Sequence, residues 1–262
     1  MSETTAVSKR GQKAIELKGA SVVYRVYHDR RLSVRERLMT RRRSREFTTV
    51  NAVTDVSFSV KTGEVVGLIG SNGSGKSTLL SAIAGLQPLA AGSIKVRGEA
   101  TLLGVGAVLD AQLSGARNVM LGCLALGMSR SGAREHFDDI VDFAGLRDAI
   151  DRPMRTYSSG MRSRLHFAIA TAVNPDILLV DEVLAVGDRD FRRRSLKRIT
   201  DLQKVAKVVV LVTHGLHQVR KVCSRAIWLE QGKLMADGPP EEVLNQYVEF
   251  TGGADDDLDT DD

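Results

Sequence analysis

The chain of 262 residues has little cysteine: Cys123 and Cys223 alone, far apart, in apolar surroundings and outside any ligand-spaced motif. That excludes a disulfide-stapled scaffold and a cysteine metal knuckle, and both thiols are read as buried and free. No uninterrupted apolar run reaches the roughly 20 residues that cross a bilayer. The N-terminus is polar and basic, without the apolar core of a secretory signal. The chain is therefore expected to stay on the cytosolic side of a membrane and not to span it. No internal repeat is present, and neither sign of charge dominates, with 37 basic against 32 acidic residues. The placement is uneven, however. Arg25 to Glu46 holds nine arginines against three acidic residues, while Asp255 to Asp262 holds six aspartates. Net charge thus says little about partners, and the local basic block says more. An apolar fraction of 43% is ordinary for a globular protein, and this length buries a full core in one large or two small domains.

What is present is a run of strand and helix patterns. Residues 1–13 are polar and read as a flexible terminus. Strand patterns begin at Ala14-Ile15-Glu16-Leu17 and recur from Ala52 to Val60. Glu64 to Ile69, Ile177 to Val180 and Val208 to Val212 are short apolar runs of the buried parallel-strand type. Each ends at a polar or glycine residue, where a parallel sheet gathers its ligand site. Ser77 to Ala84 has helical periodicity. Asn118 to Leu126, Arg134 to Phe143 and Met161 to Val173 read as helices with no convincing strand among them. About 112–160 is therefore expected to form a helical subdomain inserted into an α/β core. Ala226 to Glu230 and Lys233 to Ala236, split by Gln231-Gly232, read as a hairpin. Glu241 to Phe250 reads as a last helix behind Pro239-Pro240, and the acidic 251–262 segment is expected to be a disordered tail.

Gly70-Ser71-Asn72-Gly73-Ser74-Gly75-Lys76-Ser77-Thr78 lies between an apolar strand and a helix. Glycines there let the backbone turn so that its N–H groups converge on a β-phosphate. A larger side chain would block the approach or the dihedrals. Lys76 supplies a compact cation for the β- and γ-oxygens, and the Ser77 hydroxyl is a hard ligand for Mg²⁺. Asp181 ends the second buried strand, where its carboxylate can hold Mg²⁺ through water, and Glu182 can polarise the attacking water as a general base. The competing reading is that the pair caps a helix. His214, just past the third buried strand, can hydrogen-bond a γ-phosphate, or it is a core histidine. His28, His136, His166 and His217 lack such a setting and read as surface or packing residues.

Taken together, the chain from about Ile15 to Phe250 resembles the nucleotide-binding domains of ABC transporters. The residues that carry the resemblance are the 70–78 cradle, Tyr157-Ser158-Ser159-Gly160-Met161, Asp181-Glu182, Ala185-Val186-Gly187-Asp188 and His214, in that order. The resemblance implies a P-loop NTPase fold with an inserted helical subdomain and an antiparallel β part. It also implies a head-to-tail dimer with two ATP molecules between the copies. Ser158, Ser159 and Gly160 would meet the γ-phosphate on the partner's cradle, in keeping with a helix start that carries a hydroxyl and free N–H groups. Asp188 would lie at the seam, and Tyr24, with Tyr27 as a near rival or plain packing as the alternative, would stack on adenine.

Tyr-Ser-Ser-Gly-Met departs from the usual Leu-Ser-Gly-Gly-Gln. With Asp181 to Asp188, Phe191 and Leu113-Ser114-Gly115-Ala116-Arg117-Asn118, it is similar to the branch that exports lipid-linked polysaccharides and teichoic acids. The implied protein is an ATPase on the cytoplasmic face of the bacterial plasma membrane, a homodimer under a separate membrane-spanning permease, with ATP and Mg²⁺ as ligands. The γ-phosphate-sensing glutamine of the family has no clear counterpart, since Gln112 sits in the wrong register. In that branch a helix in the 28–46 region lies at the channel mouth, so Arg35, Arg37, Arg41, Arg42 and Arg43 are expected either to meet lipid headgroups or a substrate diphosphate, or to form a solvated surface helix. An import ATPase is the closer alternative. A soluble ATPase acting on nucleic acid is the more distant one, because long coiled coils, a zinc hook and tandem cassettes are all missing.

Overall fold

The computed structural model describes residues 11–27, 47–103, 109–181, 189–213 and 215–252. The Arg-rich 28–46 segment and the tail from residue 253 lie outside them. Strands β1 (Lys13–Tyr27), β2 (Phe47–Lys61) and β4 (Ala91–Val96) form an antiparallel sheet in the order β2-β1-β4. A second sheet holds β3 (Val65–Ile69), β5 (Ala100–Leu103), β6 (Ile177–Val180), β7 (Val208–Val212), β8 (Arg225–Glu230) and β9 (Lys233–Gly238). Its order is β5-β6-β7-β3-β8-β9, parallel throughout except for the β8–β9 hairpin.

The apolar runs at β3, β6 and β7 follow from burial on both faces of this sheet. Side chains alternate between faces. Val66, Leu68, Leu179 and Val210 join the core shared with β1, β2 and helix α1 (Lys76–Ile83). Ile69, Leu178, Val209 and Leu211 pack on the other face against α6 (Arg189–Val205), α7 (Leu216–Val222) and α8 (Pro240–Thr251). The hairpin turns through Gln231 (φ 47°) and Gly232 (φ 76°), both left-handed as a tight two-residue turn requires.

Helices α2 (Gly115–Ala125), α3 (Arg130–Glu135), α4 (Phe137–Ala144) and α5 (Ser159–Ala170) share a third core that runs from Val119 to Ala172, so its packing continues past residue 160. The single helix expected over 134–143 is in fact two, meeting at His136, whose N–H still donates to Gly132 O and whose carbonyl accepts from Ile140. The helix expected from Asn118 starts three residues earlier, because the Ser114 hydroxyl caps it by accepting from Arg117 N–H. Strands β4 and β5 were not expected. Their Ala and Gly residues weaken the strand signal, the runs are short, and partners distant in sequence define them. Both cysteines are free and buried. Among the described residues no helix is long and apolar enough to cross a membrane.

Candidate functional site

Parallel pairing of β6, β7 and β3 brings the ends of three strands to one sheet edge. β3 opens into the 70–78 loop, β6 into Asp181 and β7 into Thr213. At about 4.8 Å per strand, Asp181 and the loop lie two strands, about 10 Å, apart.

Within the loop the three glycines have different physical reasons. Gly70 (φ 143°) and Gly75 (φ 101°) also touch the body of the fold. A Cβ at Gly70 would lie 1.9 Å from Leu229 O, and one at Gly75 2.3 Å from Ala52 O. Gly73 (φ 81°) has nothing within 4 Å, so only its dihedral demands glycine. Lys76 is 6% exposed, and its Nζ donates to the carbonyls of Gly70 (2.6 Å) and Ser71 (2.8 Å), which seats the ammonium inside the loop. Ser74 is buried, and its Oγ has no protein partner among the described residues. A buried cation, an unsatisfied hydroxyl and left-handed turns suit an anionic polyoxygen group such as a nucleotide's phosphates.

Sequence reasoning missed the anchor of this loop. Glu230, at the end of β8, accepts from the Ser71 hydroxyl (2.5 Å) and Ser71 N–H (3.3 Å). The hairpin turn adds Gly232 N–H to Ser74 O (2.9 Å), and Thr54 N–H donates to Gly232 O (2.8 Å). A glutamate before a Gln-Gly turn carries no local sign that it holds a loop some 160 positions away. Tyr24 is brought to the cradle: its hydroxyl lies 3.4 Å from Thr78 Oγ1, and its ring is 37% exposed, as a stacking surface must be. Ser77 is exposed on the first turn of α1, and Asp181 is buried at the sheet edge. Both carry hard oxygen donors of the kind that suits Mg²⁺. Glu182, Asp188 and His214 lie outside the described residues. Of the other histidines, His136 and His217 are exposed, while burial lowers the pKa of half-buried His166; His28 lies outside the described residues.

Ser158, Ser159 and Gly160 are not brought to the cradle. They open α5 in the helical unit, where Ser158 caps the helix by accepting from Met161 N–H (3.1 Å). Ser158 and Ser159 are exposed. A Cβ at Gly160 would meet nothing nearer than Ser158 Oγ at 3.9 Å, so the chain itself gives no steric reason for glycine.

Tyr157 explains one departure from the usual motif. It is 4% exposed, and its hydroxyl donates to Ala149 O at 2.7 Å. Burial, and after it Asp151, pushes the phenol above its ordinary range, so it remains a donor. The hydroxyl occupies space at the start of α2: a Cβ on Gly115 would lie 2.3 Å from it. Beside it, fully buried Asn118 accepts from Asp110 N–H (2.7 Å) and donates to the carbonyls of Asp110, Leu113 and Ser114. Backbone bonds from Met154 N–H to Leu113 O (2.9 Å) and from Arg155 N–H to Ala111 O (2.8 Å) fasten this segment to the chain that enters α5. Gln112 is exposed, and its backbone N–H donates to the Asp110 carboxylate.

The family profile described as ABC transporter matches residues 53–185. The chain is 42% identical over 213 residues to the O-antigen export system ATP-binding protein RfbB of Myxococcus xanthus, covering 81% of this chain and 49% of that one. It therefore spans about half the length of that relative. It is 35% identical to the teichoic acids export ATP-binding protein TagH of Staphylococcus haemolyticus, covering 90% of this chain and 89% of that one. Among solved structures, a dimeric post-hydrolysis state of the ATP-binding cassette MJ0796 bound to ADP and Pi shares the fold, with a TM-score of 0.64, 22% identity and coverage of 86% of this chain and 98% of that one. With its cradle, its acidic strand end and its detached serine-glycine helix start, this chain belongs to the ABC transporter family.

Proposed function

We propose that the chain is the ATP-hydrolysing subunit of an exporter that moves a lipid-linked polysaccharide, of O-antigen, galactan or teichoic acid type, across the cytoplasmic membrane. The observation that carries the reading is the alignment of 90% of the chain with 89% of a teichoic acids export ATP-binding protein. The Tyr157–Gly115 contact supports the same branch, because it gives that branch's motif a physical role. The protein sits at the cytoplasmic face, peripheral, beneath a separate permease that carries the glycan.

In this reading the loop N–H groups and Lys76 hold the β- and γ-phosphates, and Tyr24 stacks on adenine. Ser77 and Asp181 would hold Mg²⁺, which would supply positive charge to offset that of the phosphates. Glu182 accepts a proton from the attacking water, and His214 keeps that water in line, so that ATP and water give ADP and phosphate. Ser158, Ser159 and Gly160 of a second copy close the γ-phosphate side, with Asp188 at the seam. Ser158 and Ser159 are exposed, as contact with a second copy would require.

Glu182→Gln should keep ATP affinity and reduce turnover by about a hundredfold or more, the scale of a lost general base. Hydrolysis by that variant at the parent rate would refute the assignment. Depletion of the protein in its host should make lipid-linked glycan accumulate inside the membrane; an unchanged glycan profile would remove the export reading.

A further inference from the structure

Helix α6 begins at Arg189, the residue after Asp188, and presents Phe191, Arg194 and Arg198 at helical spacing toward the helical unit. Phe191 is 1% exposed. Its ring meets Phe143 of α4 edge-on at 5.5 Å and Phe167 of α5 at 5.7 Å, and Phe143 stacks on Phe167 at 5.9 Å. The Arg194 guanidinium sits 5.5 Å from the Phe143 ring and 5.6 Å from the Phe191 ring, and donates to Phe143 O at 3.1 Å. Arg198 lies over Phe143 at 5.7 Å and donates from Nε to Thr171 O at 3.2 Å. Phe143 O belongs to the last turn of α4, and Thr171 is the C-cap of α5. Carbonyls at helix C-termini lack intrahelical partners and carry partial negative charge, so a cation is favoured at both.

We infer that Arg194 is a positioning residue that ties the unit carrying Ser158 to α6, so that the partner-facing serine keeps a fixed direction relative to that helix. α5 has Ser158 at one end and Phe167 and Thr171 toward the other, so a grip on its C-terminal half fixes the direction of its N-terminus. A three-ring contact alone could slide, because aromatic packing tolerates several offsets. The guanidinium's planar fork, fixed between two rings and one carbonyl, selects a single arrangement. The inference rests on the ATP-sandwich reading and adds what holds the partner-facing serine in its direction.

The test uses the full chain in the Glu182→Gln background, with ATP-dependent dimerisation followed by sedimentation and ATP affinity by a fluorescent nucleotide. Arg194→Ala should weaken the dimer about tenfold, the worth of one charged hydrogen bond, and leave ATP affinity within about twofold. Arg194→Lys keeps the cation but loses the fork, and should recover part of the loss, to about threefold below the parent. Unchanged dimerisation in Arg194→Ala overturns the inference. So does a joint loss of dimer, ATP affinity and melting temperature that lysine does not repair, since that marks a structural role. If Arg194→Ala fails to fold, Arg194→Lys decides: a dimer as tight as the parent's overturns the inference. If the Arg194-containing control binds ATP and stays monomeric, the sandwich reading falls and takes the inference with it.

Discussion

Gly115 and Tyr157 offer a measurable test of how the helical unit is built. Tyr157→Phe removes the hydroxyl that donates to Ala149 O. That carbonyl also accepts from Arg152 N–H at 3.0 Å, so no orphan acceptor remains. The cost should therefore sit near 1 kcal/mol, below the 1–3 kcal/mol of an unsatisfied buried group. Gly115→Ala places a Cβ 2.3 Å from that same hydroxyl and 2.9 Å from Ile150 O. Overpacking of this kind costs about 1–3 kcal/mol, and the backbone oxygen cannot swing away as a side chain can. In the double variant the methyl enters space the hydroxyl has left, while the Ile150 contact persists. The combined loss should thus fall short of the sum of the single losses by about 1 kcal/mol. Urea unfolding of the four proteins, compared at matched slopes, measures this. Losses that add to within about 0.3 kcal/mol would refute the claim that both changes act on one contact.

The cradle glycines should separate by mechanism. Gly75→Ala meets Ala52 O at 2.3 Å and should misfold the loop, whereas Gly73→Ala meets nothing and should cost only about 1 kcal/mol of backbone strain. Thermal melts and nucleotide titration of both variants check this, and equal damage would contradict it. Burial pushes the Cys223 thiol up to about 12 and raises Cys123 as well. The folded state therefore keeps protons that the unfolded chain releases from about pH 9 upward, and stability should fall over that range. A Cys123→Ala, Cys223→Ala double variant should lose less stability between pH 8 and 10 than the parent, and identical slopes would reject the linkage. Charge reversal at Arg35, Arg37, Arg41, Arg42 and Arg43 should lower export and leave ATPase activity in solution intact; unchanged export would dismiss a role for the basic block.

The cradle of the candidate site was legible in the sequence because its chemistry is local. A cradle needs glycines, a lysine and a hydroxyl in consecutive positions, and the buried strands that carry it need continuous apolar runs. The hairpin and final helix were equally plain, since Gln-Gly and Pro-Pro mark their own boundaries. Only the tertiary structure could pair β3 with β7 and β8, and so put Asp181 two strands from the loop. Glu230 as the loop's anchor, Gly115 as the seat of the Tyr157 hydroxyl and the Arg194 grip on α4 were likewise invisible, because each joins residues with no periodic relation. The weak strands β4 and β5 belong with these: their pairing comes from neighbours brought by folding, not from their own side chains.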